Sequence, residues 1–296
     1  MIIDYKYHIA SLVAVFLALG IGILIGSTML GNDTLIEYQK QVTDRLENQL
    51  QSMRETNESI QAKASALEVD SGIHKQFEKE VIPVLVAGRL ENKNFALIEL
   101  NTFGFPPEIT RIINDAGGQV TSVTSINNIY DNHETLDDLF AVLGWEETDP
   151  GKQTPKLAAE VAAGINSGDK EVFFETLKEH GVIKTSGDYG IPVDGLIIVG
   201  GGYGDDKRDM QFDLHTIDYF QDLNIPVLCV EETDVNFSYV KDYQRKHVST
   251  IDNIDTAPGQ LAMVLALGGQ PGNYGIKSSA QMLLPEVNWD GLNIPR

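Results

Sequence analysis

Residues 195–200 read Gly-Leu-Ile-Ile-Val-Gly, and residues 225–230 read Ile-Pro-Val-Leu-Cys-Val. Each is a short, wholly apolar run bounded by turn-forming residues. A strand with no polar face is the mark of a sheet covered on both sides, and such sheets are mostly parallel. Working outward, residues 95–100 (Phe-Ala-Leu-Ile-Glu-Leu) and 119–126 read as further strands, and 248–254 as another. Between them, residues 107–116 read as a helix closed by Gly117-Gly118. Helical patterns also cover 136–145, 156–166, 170–180, 210–223, 239–246 and 260–267. Alternating strands and helices predict a mainly parallel-sheet, three-layer α/β domain over residues 71–296. The Gly-, Pro- and Asn-rich tail after Gly268 predicts irregular structure.

Upstream of this domain the pattern changes. Residues 34–68 contain no Pro or Gly, and helix formers dominate. Two interleaved heptad tracks run along the stretch. One holds Gln39, Leu46, Met53, Ile60 and Leu67. The other holds Leu35, Val42, Gln49, Thr56 and Lys63, turning polar after its second member. The first track predicts a coiled-coil helix over residues 31–70, and the polar second track makes it a weak one. An amphipathic helix folded onto the α/β domain is the competing reading.

Residues 9–30 read IASLVAVFLALGIGILIGSTML, without a charge. At about 1.5 Å per residue this run spans roughly 33 Å, the thickness of a bilayer core. A cleaved signal peptide is the rival. Its apolar region is usually shorter, its start more basic, and Gly26-Ser27-Thr28 is a poor cleavage site. An uncleaved transmembrane helix is therefore expected. Ala10, Ala14, Ala18, Gly22 and Gly26 recur every four residues and form one shallow face. Small residues at this spacing let a second helix approach closely in lipid, and Gly22-x-x-x-Gly26 is one such element. Anchor and rod together predict a parallel homodimer. Nearly the whole chain lies beyond the helix, so residues 1–8 are expected in the cytoplasm and the α/β domain outside it.

The net charge is −21, of which −4 belongs to residues 32–70 and −17 to residues 71–296. A domain that acidic repels nucleic acid and anionic lipid. The lone cysteine, Cys229, excludes an internal disulfide and reads as a small apolar residue of a buried strand. The histidines at 8, 74, 133, 180, 215 and 247 include no pair at i, i+3 or i+4. No nucleophile elbow, zinc-protease helix or calcium loop is present.

Two loops follow strands at the end where such sheets bind ligands. Gly200, Gly201 and Gly202 lead to Gly204, Asp205 and Asp206, but Walker and dinucleotide spacings are missing and the aspartates oppose phosphate. A tight turn is the simpler reading. Asp252, Asp255 and Thr256 form the second candidate ligand loop, with metal or substrate contact as one role. Capping of the following helix by Asp255 or Thr256, with Pro258 in its first turn, is the simpler role.

Two stretches carry a resemblance. The short tail with residues 10–22 (ASLVAVFLALGIG) is one. The C-terminal series is the other: IDNIDT at 251–256, Gly259-Gln260, LALG at 265–268, GNYG at 272–275, Lys277 and LLP at 283–285. Both resemble the MctB-like family, copper transport protein B, and the likeness runs through anchor, rod and α/β domain. The resemblance implies copper export or resistance, and, through SteB-like relatives, cell-envelope assembly beside a SteA-like membrane partner. Copper enters by this resemblance alone, because soft ligands in clusters are what copper binding calls for. No cofactor is identified from the residues themselves. The sequence therefore reads as a non-enzymatic, membrane-anchored envelope protein. Copper homeostasis and an α/β enzyme or small-ligand receptor are the alternatives.

Overall fold

A computed structural model describes residues 5–100, 107–127, 133–204 and 210–286. The chain divides into two compact units, one ending at Lys75 and the other beginning at Gln76.

The described residues of the first unit all belong to one helix, which runs on past Lys75. Helix α1, Tyr5–Val86, passes without interruption from the apolar segment into the heptad region. Its section Tyr5–Met29 has a mean hydropathy of 2.7 and is long and apolar enough to cross a membrane. Ser71-Gly72, where the sequence suggested that the rod ends, lies inside α1. One glycine costs a helix only about 1 kcal/mol relative to alanine, and the flanking helix formers absorb that. The two heptad tracks therefore continue through Asp70 and Phe77 on one side and His74 and Val81 on the other.

The second unit is built on a seven-stranded sheet. Its strands are β1 (Asn94–Glu99), β2 (Gln119–Ile126), β3 (Ile183–Gly187), β4 (Gly195–Val199), β5 (Val227–Val230), β6 (Ser249–Ile251) and β7 (Asn273–Tyr274). Their order across the sheet is β3-β2-β1-β4-β5-β6-β7. Every pairing is parallel except β2 with β3. Helices α2 (Pro107–Asp115), α3 (His133–Val142), α4 (Pro150–Ser167), α5 (Glu171–Glu179), α6 (Gln211–Asp222), α7 (Val240–Gln244) and α8 (Ala257–Leu267) fill the connections.

The apolar strands feed two separate cores, as the period of two along a strand requires. Ala96, Ile98, Leu196, Ile198 and Cys229 point into one core, which they share with α4 and α6. Phe95, Leu97, Ile197, Val199 and Leu228 point into the other, shared with α2, α8 and the last turns of α1. The three-layer expectation is met. Two strands escape the sequence reading, β3 at the antiparallel edge and β7 in the tail expected to be irregular. The strand expected over 248–254 is only Ser249–Ile251, because residues 252–256 turn into α8.

Candidate functional site

The carboxyl ends of β4, β5, β6 and β7 bring the two glycine- and aspartate-bearing loops near each other, with the segment after β5 between them. Each candidate residue has a specific place there, apart from Asp205, which with its neighbour Asp206 lies outside the described residues.

The glycines answer to steric demands of the domain itself. A Cβ on Gly200 would lie 2.4 Å from Tyr243 Oη. One on Gly201, whose φ is +88°, would lie 2.7 Å from Val235 Cγ1, and one on Gly202 would lie 2.9 Å from Tyr239 Oη. Gly202 also exchanges two backbone hydrogen bonds with Phe237, at 2.9 and 3.0 Å. Asn236 Nδ2 donates to the carbonyls of Tyr203 and Gly204, at 2.8 and 3.2 Å. The loop is thus closed onto residues 235–237, with buried tyrosines where a phosphate cradle would leave space.

The aspartates are tied down in the same way. Asp252 is buried and accepts the backbone N–H of Ile276 at 2.8 Å and of Lys277 at 3.1 Å. Its carboxylate occupies the room that a Cβ on Gly275 would need, since that atom would fall 1.9 Å from Oδ1. Asp255 Oδ1 accepts from both the N–H and the hydroxyl of Thr233, at 2.7 and 2.9 Å. Thr256 is the N-cap of α8, its Oγ1 accepting from Gly259 N at 3.2 Å, with Pro258 in the first turn. Of the two capping choices offered by the sequence, the threonine is the one used.

Glu231 and Glu232, which sequence reasoning passed over, join these loops together with Lys277 of the C-terminal series. Glu231 has no solvent exposure. Ser238 Oγ donates to its Oε1 at 2.6 Å, Tyr239 N to its Oε2 at 3.1 Å, and Lys277 Nζ to Oε1 at 2.7 Å. Lys277 also donates to the Glu232 carbonyl at 2.9 Å, and Tyr203 Oη donates to the Glu232 carboxylate. Burial, then that hydrogen bond, pushes the Tyr203 phenol well above its ordinary value of 10.0. The usable signal was position: Glu231 directly follows an apolar strand at its carboxyl end. The polar groups at this end largely satisfy one another.

Elsewhere in the domain, Trp145 and Phe173 help line an open cleft of about 700 Å³. Lys156 Nζ stands 4.6 Å from the Trp145 ring, Phe173 packs against that ring at 5.7 Å, and Lys170 pairs with Glu160. Cys229 is fully buried, and burial, with the Asp213 charge second, pushes its thiol well up. Among the described residues, no three His, Cys, Asp or Glu side chains group as a metal site.

The pairing candidates lie on α1. Leu46, Met53, Ile60 and Leu67 are between 53 and 68% exposed. A Cβ on Gly22 or Gly26 meets nothing within 4 Å.

Known proteins resemble the chain over nearly its whole length. The family model described as copper transport outer membrane protein, MctB, matches residues 2–285. Proteins named copper transporter MctB from Mycobacterium bovis and Mycobacterium tuberculosis are 23% identical over 317 residues. The match covers 92% of this chain and 96% of theirs. With such a family, the N-terminal apolar helix marks a membrane-anchored protein. Because the match runs from the anchor through the rod to the tail that Lys277 pins to the sheet, the chain belongs to the MctB family.

Proposed function

We propose that this is a non-enzymatic envelope protein that works as a pair. Two copies associate through the small-residue face of the anchor and the heptad track beyond it. Each then presents an acidic α/β domain, outside the membrane, to a partner. The observation that carries this reading is the continuity of α1. One unbroken helix bears Ala10, Ala14, Ala18, Gly22 and Gly26, then Leu46, Met53, Ile60 and Leu67, with the heptad residues exposed. Exposed apolar residues at heptad spacing are stabilised when a second helix buries them. The non-enzymatic part is supported by the strand ends, where Glu231, Asp252 and Asp255 are engaged by the domain's own groups.

Single cysteines at 46, 53, 60 and 67, oxidised in native membranes, test the pairing. Symmetric crosslinks at these positions, and none at Gln51 or Glu58 on the opposite face, are the expected result. No crosslink at any of the four would sink it.

A second reading is copper handling, favoured by the names of the family and of the mycobacterial relatives. Copper would then be cargo, held by an assembly larger than one chain. Titration of the full-length protein with Cu(I) distinguishes the two: a saturable site tighter than micromolar would favour copper handling.

A further inference from the structure

Opposite the glycine loop, at the amino ends of β1, β4, β5 and β6, the second unit holds a partly enclosed cavity of about 280 Å³. We infer that it is a binding site for a compact apolar molecule with an oxygen acceptor at one end. The site is independent of the pairing proposed above.

The cavity is a pocket partly open to solvent, near the lower end of the size range of small-molecule sites. Its walls are apolar: Phe95, Val227 and Leu228 from the sheet, Ala266 and Leu267 from the last turn of α8. A dry apolar cavity of about 150 Å³ is enough for benzene, so this one suits about a dozen non-hydrogen atoms. It is also less open to water than the cleft beside Trp145, whose charged and aromatic groups already engage one another.

The polar groups at the cavity define the ligand's other end. Lys93 is half-buried, and its ammonium gives one hydrogen bond to the Leu267 carbonyl at 3.2 Å. An ammonium has three protons to donate, so donor capacity remains. Ser249 Oγ accepts from Gly272 N at 3.1 Å, which leaves its hydroxyl proton to donate. Asp194 borders the same space, its Oδ2 accepting Asn94 N at 2.8 Å. A carboxylate there disfavours an anionic ligand, while two donors call for an oxygen. A neutral carbonyl on an aromatic or branched aliphatic body meets all three conditions. Pockets of this composition, mostly apolar with a few directed polar groups, are the usual form of small-molecule sites.

The test uses the full chain in lipid nanodiscs, with 13C-methyl labels on Ala, Leu and Val. The probes are 4-phenylbutanamide and n-butylbenzene, the second lacking the acceptor. Methyl signals report the site directly, so partitioning of either probe into lipid does not confuse the reading. Saturable shifts confined to Val227, Leu228, Ala266 and Leu267 are expected from both probes, with the amide binding at about millimolar or tighter. Lys93→Met is expected to weaken the amide about tenfold, the worth of one charge-assisted hydrogen bond, and to leave butylbenzene unchanged. Ala266→Phe fills the cavity and should abolish both sets of shifts while the remaining methyl spectrum stays folded. Absence of saturable shifts at these methyls, or their persistence in Ala266→Phe, overturns the site. Equal loss of both probes in Lys93→Met, or no loss of either, overturns the acceptor at Lys93.

Discussion

Lys277 Nζ lies 2.7 Å from Glu231 Oε1, joining the C-terminal segment to the carboxyl end of β5 across 46 residues of sequence. The glutamate is fully buried and the lysine side chain keeps 22% exposure. Removing one member of such a pair strands the other charge, which costs about 3–5 kcal/mol, whereas removing both costs much less. Lys277→Met is therefore expected to destabilise the α/β domain by about 3 kcal/mol at most, since Ser238 and Tyr239 still donate to Glu231. The double variant Glu231→Gln/Lys277→Met should regain much of that loss. Denaturant unfolding of the full chain, followed by tryptophan fluorescence, measures both. Equal losses in the single and double variants would contradict the pairing.

A second prediction separates a packed glycine loop from a ligand cradle. The Cβ created by Gly200→Ala would meet Tyr243 Oη at 2.4 Å, in a region with no slack. Overpacking of this kind costs about 1–3 kcal/mol. Gly200→Ala should lower stability without any ligand present, and Tyr243→Phe should relieve part of the loss in combination. A positive coupling between the two substitutions in a double-mutant cycle is the expected reading.

Much of this architecture was legible because burial on both faces leaves a strong mark. Residues 195–199 and 227–230 are apolar throughout, the pattern of a short strand covered on both faces. Strand β3 left no such mark. It reads Ile-Lys-Thr-Ser-Gly, with only Ile183 buried, because an antiparallel edge strand is held by backbone bonds to β2 rather than by side-chain burial. Strand β7 has two residues, too few for any period. At the strand ends Thr256 was legible because its cap to Gly259 is local, whereas the reasons for Gly200 and Asp252 lie far along the chain. Gly200 answers to Tyr243, and Asp252 to Gly275 and the N–H groups of residues 276 and 277. Separations of more than 20 residues, set by packing, are invisible to spacing rules.

Cys229 tests the other side of the copper question. Reactivity belongs to the thiolate, and burial pushes this thiol far from ionising near neutrality. Maleimide should leave the native protein unlabelled at pH 7.5 and label it fully in denaturant. Native labelling on the timescale of free thiols would return Cys229 to the set of candidate soft ligands.

Tyr203 predicts a direction for alkaline stability. Its folded-state proton is held above the ordinary tyrosine value of 10.0 by burial first and by Glu232 second. Above roughly pH 10 the unfolded chain gives up a proton that the folded chain keeps, so stability falls as pH rises. Tyr203→Phe removes this contribution and should flatten the fall. It should not abolish it, because burial raises Tyr189 and Tyr274 in the same direction. Unfolding midpoints between pH 9 and 11.5 give the slopes. An unchanged slope in the variant would mean that Tyr203 titrates alike in both states.

The anchor supplies the sharpest test of pairing, because its glycines are unconstrained within one chain. A Cβ on Gly22 or Gly26 touches nothing within 4 Å, so a larger side chain costs the isolated helix little beyond propensity, and leucine favours the helix over glycine. Any effect of Gly22→Leu or Gly26→Leu on assembly must therefore come from a second molecule. A leucine on the small-residue face holds the two backbones apart and removes the packing that drives association in lipid, so each substitution should weaken association about tenfold. Fluorescence energy transfer between labelled copies in liposomes, measured against lipid-to-protein ratio, reads that change. Leu17 and Leu24 to Val provide the contrast, since they lie off the small-residue face and should leave association unaltered. If the glycine variants pair as well as the parent chain while crosslinks at positions 46–67 persist, association belongs to the heptad rod alone.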